Sequence, residues 1–508
     1  MDIIPFILSS FLFIFFLSSS FSHFRRRKLP PGPLGLPIFG NLFQVGSKPH
    51  LSFARLAKKY GPIMSLRLGS VTSVVVSSPE IAREILQKHD EVLCDRAIPD
   101  VARGQANFHI SMVWLPYGNR WRMLRQVLNT QLTHMHKLDS LVELRHKASR
   151  ELVEFLKEIS QRGGPDEIIG ERPVAIGNLA FATALNQMSK TCFSQNVAEY
   201  ESKEIQGFMK AVETVMDVAG QFNIADVFPW LKTMDPQGLR RKSKEAYGWL
   251  EEVVDVFVNK RMQWRKDSSL SSSYTHHDGD LLDSFIDYSL KDPDFTTQQF
   301  KVLLLELILA GSDTTSITVE WAMAELLLNP DIMIKLRQEI TEVVGTKGEI
   351  EEADIINLPY LQAVIKEAMR LRLAVPLLIP HNSKEVVEVN GYVIPKNTQT
   401  IVNAWAMARD PCYWDAPDKF LPERFLNSNM DFKGQHFGFI PFGSGRRMCP
   451  GILLAQRMVS LIMASLVYHF DWKLPRGTTI DNLDMDDVLG LTLRRATPLL
   501  AVPTLIKH

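Results

Sequence analysis

The chain has 508 residues, of which 45% are hydrophobic, so it can bury a large core. Its 57 basic and 57 acidic side chains cancel, which excludes a chain-wide attraction to nucleic acid. Four widely spaced cysteines are too few for a disulfide framework and favour a reducing compartment. Length alone would allow about three domains, but no internal linker divides the chain. We therefore expect one large domain.

Residues 3–21 form an apolar run that is about long enough to cross a bilayer as a helix. The basic block at 25–28 follows this run, whereas a cleavable signal peptide carries its positive charge first. We predict an N-terminal membrane anchor over 1–24 and a basic and proline-rich hinge over 25–37, with a catalytic domain over 38–508. A retained secretory signal is the alternative.

Short β-rich runs within 63–77 predict a hairpin that turns at Gly69. Apolar residues then recur with helical spacing, which predicts long amphipathic helices at 140–159, 201–218, 238–260, 297–328 and 331–344.

A strand pair is predicted at 386–394 and 398–402, and a mobile surface loop is predicted over the serine-rich residues 266–280. The expected fold class is mainly α with small β-sheets.

The helix predicted at 297–328 is interrupted by small and polar residues from Ala310 to Thr315. Gly311 removes bulk, and a threonine hydroxyl could leave its bond to the preceding turn to face a ligand. A glycine kink without a ligand is the alternative.

Two further pairs occur at helical spacing. Glu367 and Arg370 allow an ion pair, which Arg424 could join, although surface solvation is the simpler interpretation of the pair alone. Trp121 and Arg125 place an indole donor and a guanidinium on one helix face, suited to a carboxylate ligand, with an exposed arginine as the alternative.

The loop at 442–451 sets Cys449 among glycines and beside the arginines 446 and 447. A buried thiolate is costly unless a metal or hydrogen-bond donors hold it, and glycines let backbone N–H groups approach the sulfur. This pattern favours a thiolate ligand of haem iron. A buried free cysteine beside a helix start is the alternative.

Phe442, Gly445, Arg447, Cys449 and Gly451 resemble the cysteine loop of the cytochrome P-450 superfamily of haem-thiolate monooxygenases. Runs at 41–46, 319–326 and 403–406 are similar to the plant microsomal, geraniol hydroxylase-like group. The resemblance implies a cytochrome P-450 fold preceded by one N-terminal transmembrane helix.

The resemblance also implies roles for individual residues. Cys449 would be the axial metal ligand of haem b, and Asp313 and Thr314 would deliver protons to bound oxygen. Four residues would hold the haem propionates: Trp121, Arg125, His381 and Arg447. Three would lock the cysteine loop structurally: Glu367, Arg370 and Arg424. The candidate substrate pocket consists of Phe108, Met112, Val113, Ala310, Ile317, Val375 and Leu491.

The implied activity inserts one atom of O2 into a lipophilic plant specialised metabolite, with a terpenoid expected first. Electrons would come from NADPH through NADPH–cytochrome reductase, and membrane lipid would hold the protein in the endoplasmic reticulum, single-pass, with the catalytic domain facing the cytosol. Arg372 and Leu373 stand where the family usually has a His-Pro step, so the resemblance does not specify the shape of the substrate pocket.

Alternatives within the same chemistry are alkaloid or phenolic hydroxylation and oxidative coupling. A different class is a non-catalytic haem-binding protein. A nucleotide-dependent dehydrogenase is disfavoured because Met448 stands where a third glycine is needed.

Overall fold

The computed structural model describes residues 29–161, 172–269 and 279–507. The predicted anchor at 1–24 and the basic block at 25–28 lie outside the described residues. The described parts contain α-helices α1–α17 and strands β1–β12.

The helices are α1 (Leu42–Val45), α2 (Pro49–Tyr60), α3 (Pro79–Arg83), α4 (Asp90–Leu93), α5 (Asn119–Leu128), α6 (Met135–Ser140), α7 (Val142–Gln161), α8 (Ile176–Phe193), α9 (Lys203–Gly220), α10 (Ile224–Val227), α11 (Leu239–Ser269), α12 (Leu281–Lys291), α13 (Thr297–Leu328), α14 (Pro330–Val344), α15 (Pro359–Leu371), α16 (Ala404–Met407) and α17 (Ile452–His469).

The strands are β1 (Ile63–Leu68), β2 (Val71–Val76), β3 (Asp95–Arg96), β4 (Val174–Ala175), β5 (His381–Asn382), β6 (Val387–Val389), β7 (Tyr392–Ile394), β8 (Gln399–Val402), β9 (Phe470–Lys473), β10 (Asp487–Leu489), β11 (Leu493–Arg495) and β12 (Leu500–Leu505). The largest sheet has the order β1-β2-β8-β5-β3, and smaller sheets are β4-β12-β9, β6-β7 and β10-β11.

Helix α13 runs through the centre of the protein. A capping box between Thr296 and Gln299 starts it, which satisfies donors of the first turn. It packs along α8, where a side chain at Gly311 would meet Met188 Sδ at 2.8 Å and one at Gly177 would meet the Glu320 carboxylate at 2.7 Å. Glycine therefore sets how closely these two buried helices approach.

Among the described residues, α13 and α17 are long and apolar enough to cross a membrane by length and composition alone. In each, 72% of the most apolar window is buried inside the protein, and both contribute to the main hydrophobic cluster. They are core helices, apolar on nearly all sides because they are packed on nearly all sides.

The predicted hairpin at 63–77 and the helices at 140–159, 201–218, 297–328 and 331–344 are confirmed to within two residues. The helix predicted at 238–260 is longer, because α11 continues to Ser269.

The loop prediction is wrong for residues 266–269, which are helical, and residues 270–278 lie outside the described part. The predicted pairing of 386–394 with 398–402 is also wrong. The first run folds on itself as β6 and β7, while β8 pairs parallel with β2 and antiparallel with β5. Asn390 and Gly391, at φ of 49° and 76°, make the tight turn that closes the first run.

Candidate active site

The cysteine loop is held by backbone geometry that only glycine permits. Gly445 has φ of 74°, and a Cβ there would lie 1.9 Å from the Leu86 carbonyl oxygen. The Cys449 N–H donates to the Phe442 carbonyl at 3.0 Å, and the Gly451 N–H donates to the Cys449 sulfur at 3.4 Å. Helix α17 begins at the next residue, so the sulfur is fixed between a tight loop and a helix start.

Burial raises the pKa of the Cys449 thiol, while the Gly451 N–H and the Arg125 guanidinium lower it. Burial is the largest of these influences, so the protein alone disfavours the thiolate. A metal cation at the sulfur would reverse that preference, because a coordinating thiol is deprotonated. Burial raises the pKa of the Cys94 and Cys192 thiols as well, but Cys449, unlike those two buried cysteines, is partly exposed and lines a cavity, so its sulfur is accessible to an iron ion.

Cys449 lines a cavity of about 310 Å³ between the cysteine loop, α13 and α17. One wall is formed by α13, through Leu303, Glu306, Leu307, Ala310, Gly311, Thr314, Thr315 and Thr318. The segment after α15 contributes Leu373, Ala374, Val375, Leu378 and Ile379, and its apolar character suits a lipophilic ligand.

Three arginines, Arg96, Arg125 and Arg447, line one end of this cavity. Arg125 donates to the Met448 carbonyl at 2.8 Å and Arg96 donates to the Ile379 carbonyl at 2.6 Å. Arg447 donates to the carbonyls of Cys94, Met112 and Leu115. Within the described part of the chain, none of the three has a carboxylate at ion-pair distance.

The Arg96 Nε is buried and has no hydrogen-bond partner in the described part of the chain, and burial lowers the pKa of this guanidinium to about 9. Buried positive charge that only carbonyl oxygens meet is costly, and a bound dianion would relieve the cost. The two propionates of haem are such a dianion, and guanidinium groups bind carboxylates in bidentate geometry. These residues therefore fit a haem, with its propionates at the arginine end and its iron at Cys449.

His381 and Trp121 also line this end of the cavity. His381 Nδ1 lies 2.8 Å from the Leu93 carbonyl, so this nitrogen carries a proton and donates. Burial, assisted by Arg96 and Arg447, holds the pKa of His381 well below its usual value. Trp121 is buried, with the Arg447 guanidinium 4.8 Å from its ring. The structure places all four predicted propionate residues on one cavity and adds Arg96, which the sequence analysis missed.

Thr314 lies on the cavity wall, and its hydroxyl donates to the Ala310 carbonyl at 2.7 Å. The hydroxyl thus keeps its bond to the preceding turn, which the sequence analysis expected it could leave. Helix α13 continues through Gly311 without a break, so the glycine serves close packing against α8 rather than a kink.

Asp313 does not line the cavity. Its side chain is 7% exposed, and its Oδ2 has no partner among the described residues. Burial raises the pKa of Asp313 to about 7, a hydrogen bond with Thr492 and the charge of Arg494 lower it, and the charge of Glu213 raises it. Asp313 therefore lies behind the wall that carries Thr314, among groups of α9 and β11.

Four of the predicted pocket residues line the cavity: Met112, Val113, Ala310 and Val375. Phe108, Ile317 and Leu491 do not. Phe108 lies in a short 3₁₀ turn against the Arg103 guanidinium, 5.3 Å from its ring. Ile317 faces the hydrophobic core from another side of α13, and the Leu491 N–H is bound to the Met216 carbonyl at 2.8 Å.

Glu306 is a further ionisable lining residue that the sequence analysis missed. A single carboxylate in the otherwise apolar run 302–309, eight residues before Thr314, was the available signal. Eight residues are about two and a quarter helical turns, so the two side chains point about 80° apart around the helix axis, and both line the broad wall that α13 presents to the cavity.

Glu367 and Arg370 are fully buried and form two hydrogen bonds of 2.8 Å, and the Arg424 Nε donates to Glu367 at 3.0 Å. The three residues thus form one network. Arg372, which replaces the usual histidine, donates to Glu325 at 2.7 Å and stacks on Trp321 at 4.5 Å. This contact fixes the start of the segment that lines the cavity.

The mainly helical fold and the cysteine-lined cavity define a haem-thiolate enzyme. The family model for cytochrome P-450 matches residues 30–500. Ferruginol synthase of Isodon rubescens is 42% identical over 97% of this chain and 98% of its own length. Geraniol 8-hydroxylase of Catharanthus roseus is 41% identical over 99% of this chain and 100% of its own length. Carnosic acid synthase of Rosmarinus officinalis is 43% identical over 94% of this chain and 93% of its own length.

The chain belongs to the cytochrome P-450 family. It is a monooxygenase with haem iron as its cofactor, and electrons from NADPH reach such enzymes through a reductase. The predicted similarity to the geraniol hydroxylase-like group is confirmed.

Proposed function

We propose that this enzyme inserts one oxygen atom into a lipophilic terpenoid. The observation that carries the proposal is a cavity that is lined by Cys449, by an apolar wall, and by three arginines that have no carboxylate partner among the described residues. The names of relatives about 42% identical, among them geraniol 8-hydroxylase and ferruginol synthase, support a terpenoid substrate.

When bound, the haem supplies the chemistry that activates dioxygen and oxidises a C–H bond. In our proposal Cys449 holds the iron, and Arg96, Arg125 and Arg447, with Trp121 and His381, hold the propionates. The apolar wall around Ala310 and Val375 excludes water and orients the substrate carbon. Regiochemistry then follows from how the wall holds the substrate.

Asp313 and Thr314 serve in this proposal as the proton-delivering pair. The Thr314 hydroxyl faces the cavity and can rotate from the Ala310 carbonyl toward a ligand. The pKa of Asp313, raised to about 7 by burial, lets this side chain hold and release a proton near neutral pH. Asp313 would receive protons on the side of Thr492 and Arg494 and pass them toward Thr314 through a small displacement or a water.

We further propose that residues 1–24 anchor the protein in the endoplasmic reticulum membrane as a single pass, that 25–37 form a hinge, and that 38–508 form the catalytic domain on the cytosolic side. The apolar run at 3–21 and the basic block behind it support this arrangement. NADPH–cytochrome reductase is the proposed electron donor.

The test combines the full chain in membranes with reductase and NADPH, and screens terpenoid, alkaloid and phenolic panels by mass spectrometry. We expect mono-oxygenated products from terpenoids. Products from alkaloids or phenolics alone would contradict the substrate class.

Thr314→Ala separates an oxygenase from a non-catalytic haem protein. We expect unchanged haem content, less product and more hydrogen peroxide per NADPH consumed. If the full chain with reductase consumes no NADPH with any substrate, the catalytic assignment fails. A matched control is Thr214→Ala on α9, because the Thr214 hydroxyl makes the same bond to the preceding turn, to the Lys210 carbonyl at 2.7 Å, but Thr214 does not line the cavity, and we expect this variant to keep the wild-type ratio of peroxide to product.

A further inference from the structure

Glu306 is a carboxylate on the wall of an otherwise apolar chamber. Once a haem occupies the side of the cavity near Cys449 and the arginines, the ionisable side chain left on the α13 wall is Glu306. It lies four residues before Ala310 and eight before Thr314, which is about 6 Å and about 12 Å along the helix axis. Glu306 thus lies about two helical turns from Thr314, toward the part of the α13 wall that ends at Leu303.

Residues 111–113 occupy part of the hydrogen-bonding capacity of the Glu306 carboxylate. The Ser111 hydroxyl donates to Oε1, and the Met112 N–H donates to Oε2 at 3.1 Å. The Met112 and Val113 N–H groups both lower the pKa of Glu306, against burial, which raises it to about 7. Glu306 therefore ties to α13 the same segment whose Met112 and Val113 line the cavity.

These contacts do not exhaust its capacity to accept hydrogen bonds. A carboxylate has about four acceptor positions, and the Ser111 hydroxyl with the Met112 and Val113 N–H groups takes three at most. Glu306 is half-buried and lines the cavity, so one acceptor position is left for a ligand in the chamber. The side chains nearest it on α13, Leu303 and Leu307, cannot hydrogen-bond to a ligand.

We propose that Glu306 accepts a hydrogen bond from a hydroxyl group of the substrate and so selects terpenoid alcohols over hydrocarbons and ethers of the same skeleton. The inference rests on the proposed terpenoid oxidation and adds the group that orients the substrate. The hydroxyl end binds at Glu306, and the apolar chain extends along α13 past Ala310. The carbon presented for oxidation is then remote from the hydroxyl group.

The test measures binding rather than turnover, through the change in haem absorption that a ligand causes in the full chain. The probes are geraniol, its methyl ether and the corresponding hydrocarbon without oxygen. The measurement is made at pH 8, above the pKa of Glu306 of about 7, so that the carboxylate form predominates. A hydrogen bond to a charged group corresponds to a preference on the order of tenfold or more. We expect the wild-type protein to bind geraniol at least about tenfold more tightly than either analogue.

Two variants separate substrate binding from support of the chain. Glu306→Leu removes the acceptor, and we expect the preference for geraniol to fall to within about twofold. Ser111→Ala is the matched control, because it releases one tether but leaves the carboxylate, and we expect it to keep the preference. Should Glu306→Leu fail to take up haem, Glu306→Gln, which removes the charge, should lower the preference to an intermediate value.

Each outcome decides the matter. Equal binding of the three probes by the wild-type protein overturns the role of Glu306 while leaving terpenoid oxidation intact. If the preference persists in Glu306→Leu, or is lost equally in Ser111→Ala, Glu306 only holds residues 111–113 in place, and the proposed hydrogen bond to the substrate is overturned. If no probe binds the wild-type protein, the proposed substrate class fails, and this inference fails with it.

Discussion

Replacing Glu367 by glutamine should destabilise the protein far more than the same change at its surface. Glu367 and Arg370 are both 0% exposed and share two hydrogen bonds of 2.8 Å. The glutamine would turn an N–H toward the buried guanidinium and leave its charge without a partner. Breaking one side of a buried pair costs about 3–5 kcal/mol, a large share of the roughly 5–15 kcal/mol that holds a protein folded.

Glu423→Gln is the matched control. Glu423 lies nearby and contacts Lys335 at 2.7 Å, but both side chains are about half exposed, so we expect a loss of at most about 1 kcal/mol. Denaturant unfolding, followed by tryptophan fluorescence and haem absorption, measures both variants. If Glu367→Gln and Glu423→Gln unfold at the same denaturant concentration, the reasoning about the buried network is refuted.

Three further changes test the site. Because burial raises the pKa of Asp313 to about 7, the neutral form of Asp313 contributes stability below about pH 4, and this contribution is lost as the pH rises through 7. Asp313→Asn lacks this pH dependence, so its stability relative to the wild type should increase between pH 4 and pH 8, by up to about 4 kcal/mol. Melting temperatures of the two proteins that change in parallel from pH 4 to 8 would contradict this. Gly445→Ala should abolish haem uptake because its Cβ would lie 1.9 Å from the Leu86 carbonyl oxygen. Gly477→Ala, also at positive φ but with no described atom within 4 Å of its Cβ, should keep haem uptake, and equal haem content in the two variants would refute the packing argument. Arg96→Leu should raise the rate of haem loss to apomyoglobin at least about tenfold, and an unchanged rate would remove Arg96 from the haem site.

The sequence predicted the helices whose apolar faces are regular. Helices α7, α9 and α14 each bury one face, and the recurrence of their apolar residues predicted them. Helix α13 was predicted at its observed bounds from the same criterion, and its ends are marked by the capping box at Thr296 and by Pro330. Helix α8 was not predicted, because it is buried and apolar on nearly every side, and periodicity is a weak signal for a helix of that kind.

Strand pairing was beyond local reasoning. The pairing of β8 with β2 joins residues more than 300 positions apart, and no turn signal specifies it. The prediction chose a nearby partner instead, although the Asn390-Gly391 turn was the stronger local signal.

The site residues also divide into those that local sequence motifs predict and those that only the folded structure reveals. Residues within recognisable motifs, such as Trp121, Arg125 and Arg447, do meet at one cavity. Arg96 belongs to no motif, and only its burial without a carboxylate partner brings it to notice. Ile317 was predicted as a wall residue because it lies close to Thr314 in the sequence, but its side chain is buried in the main hydrophobic cluster and does not line the cavity.

The axial bond from Cys449 to haem iron is the centre of this account, and the carbon monoxide spectrum of the reduced protein tests it most directly. The wild-type protein should show the band of a thiolate-ligated haem, Cys449→Ser should lose it, and Cys412→Ser, at an exposed cysteine, should retain it. A colourless wild-type protein, an imidazole-type band, or a thiolate band that survives in Cys449→Ser would contradict the account.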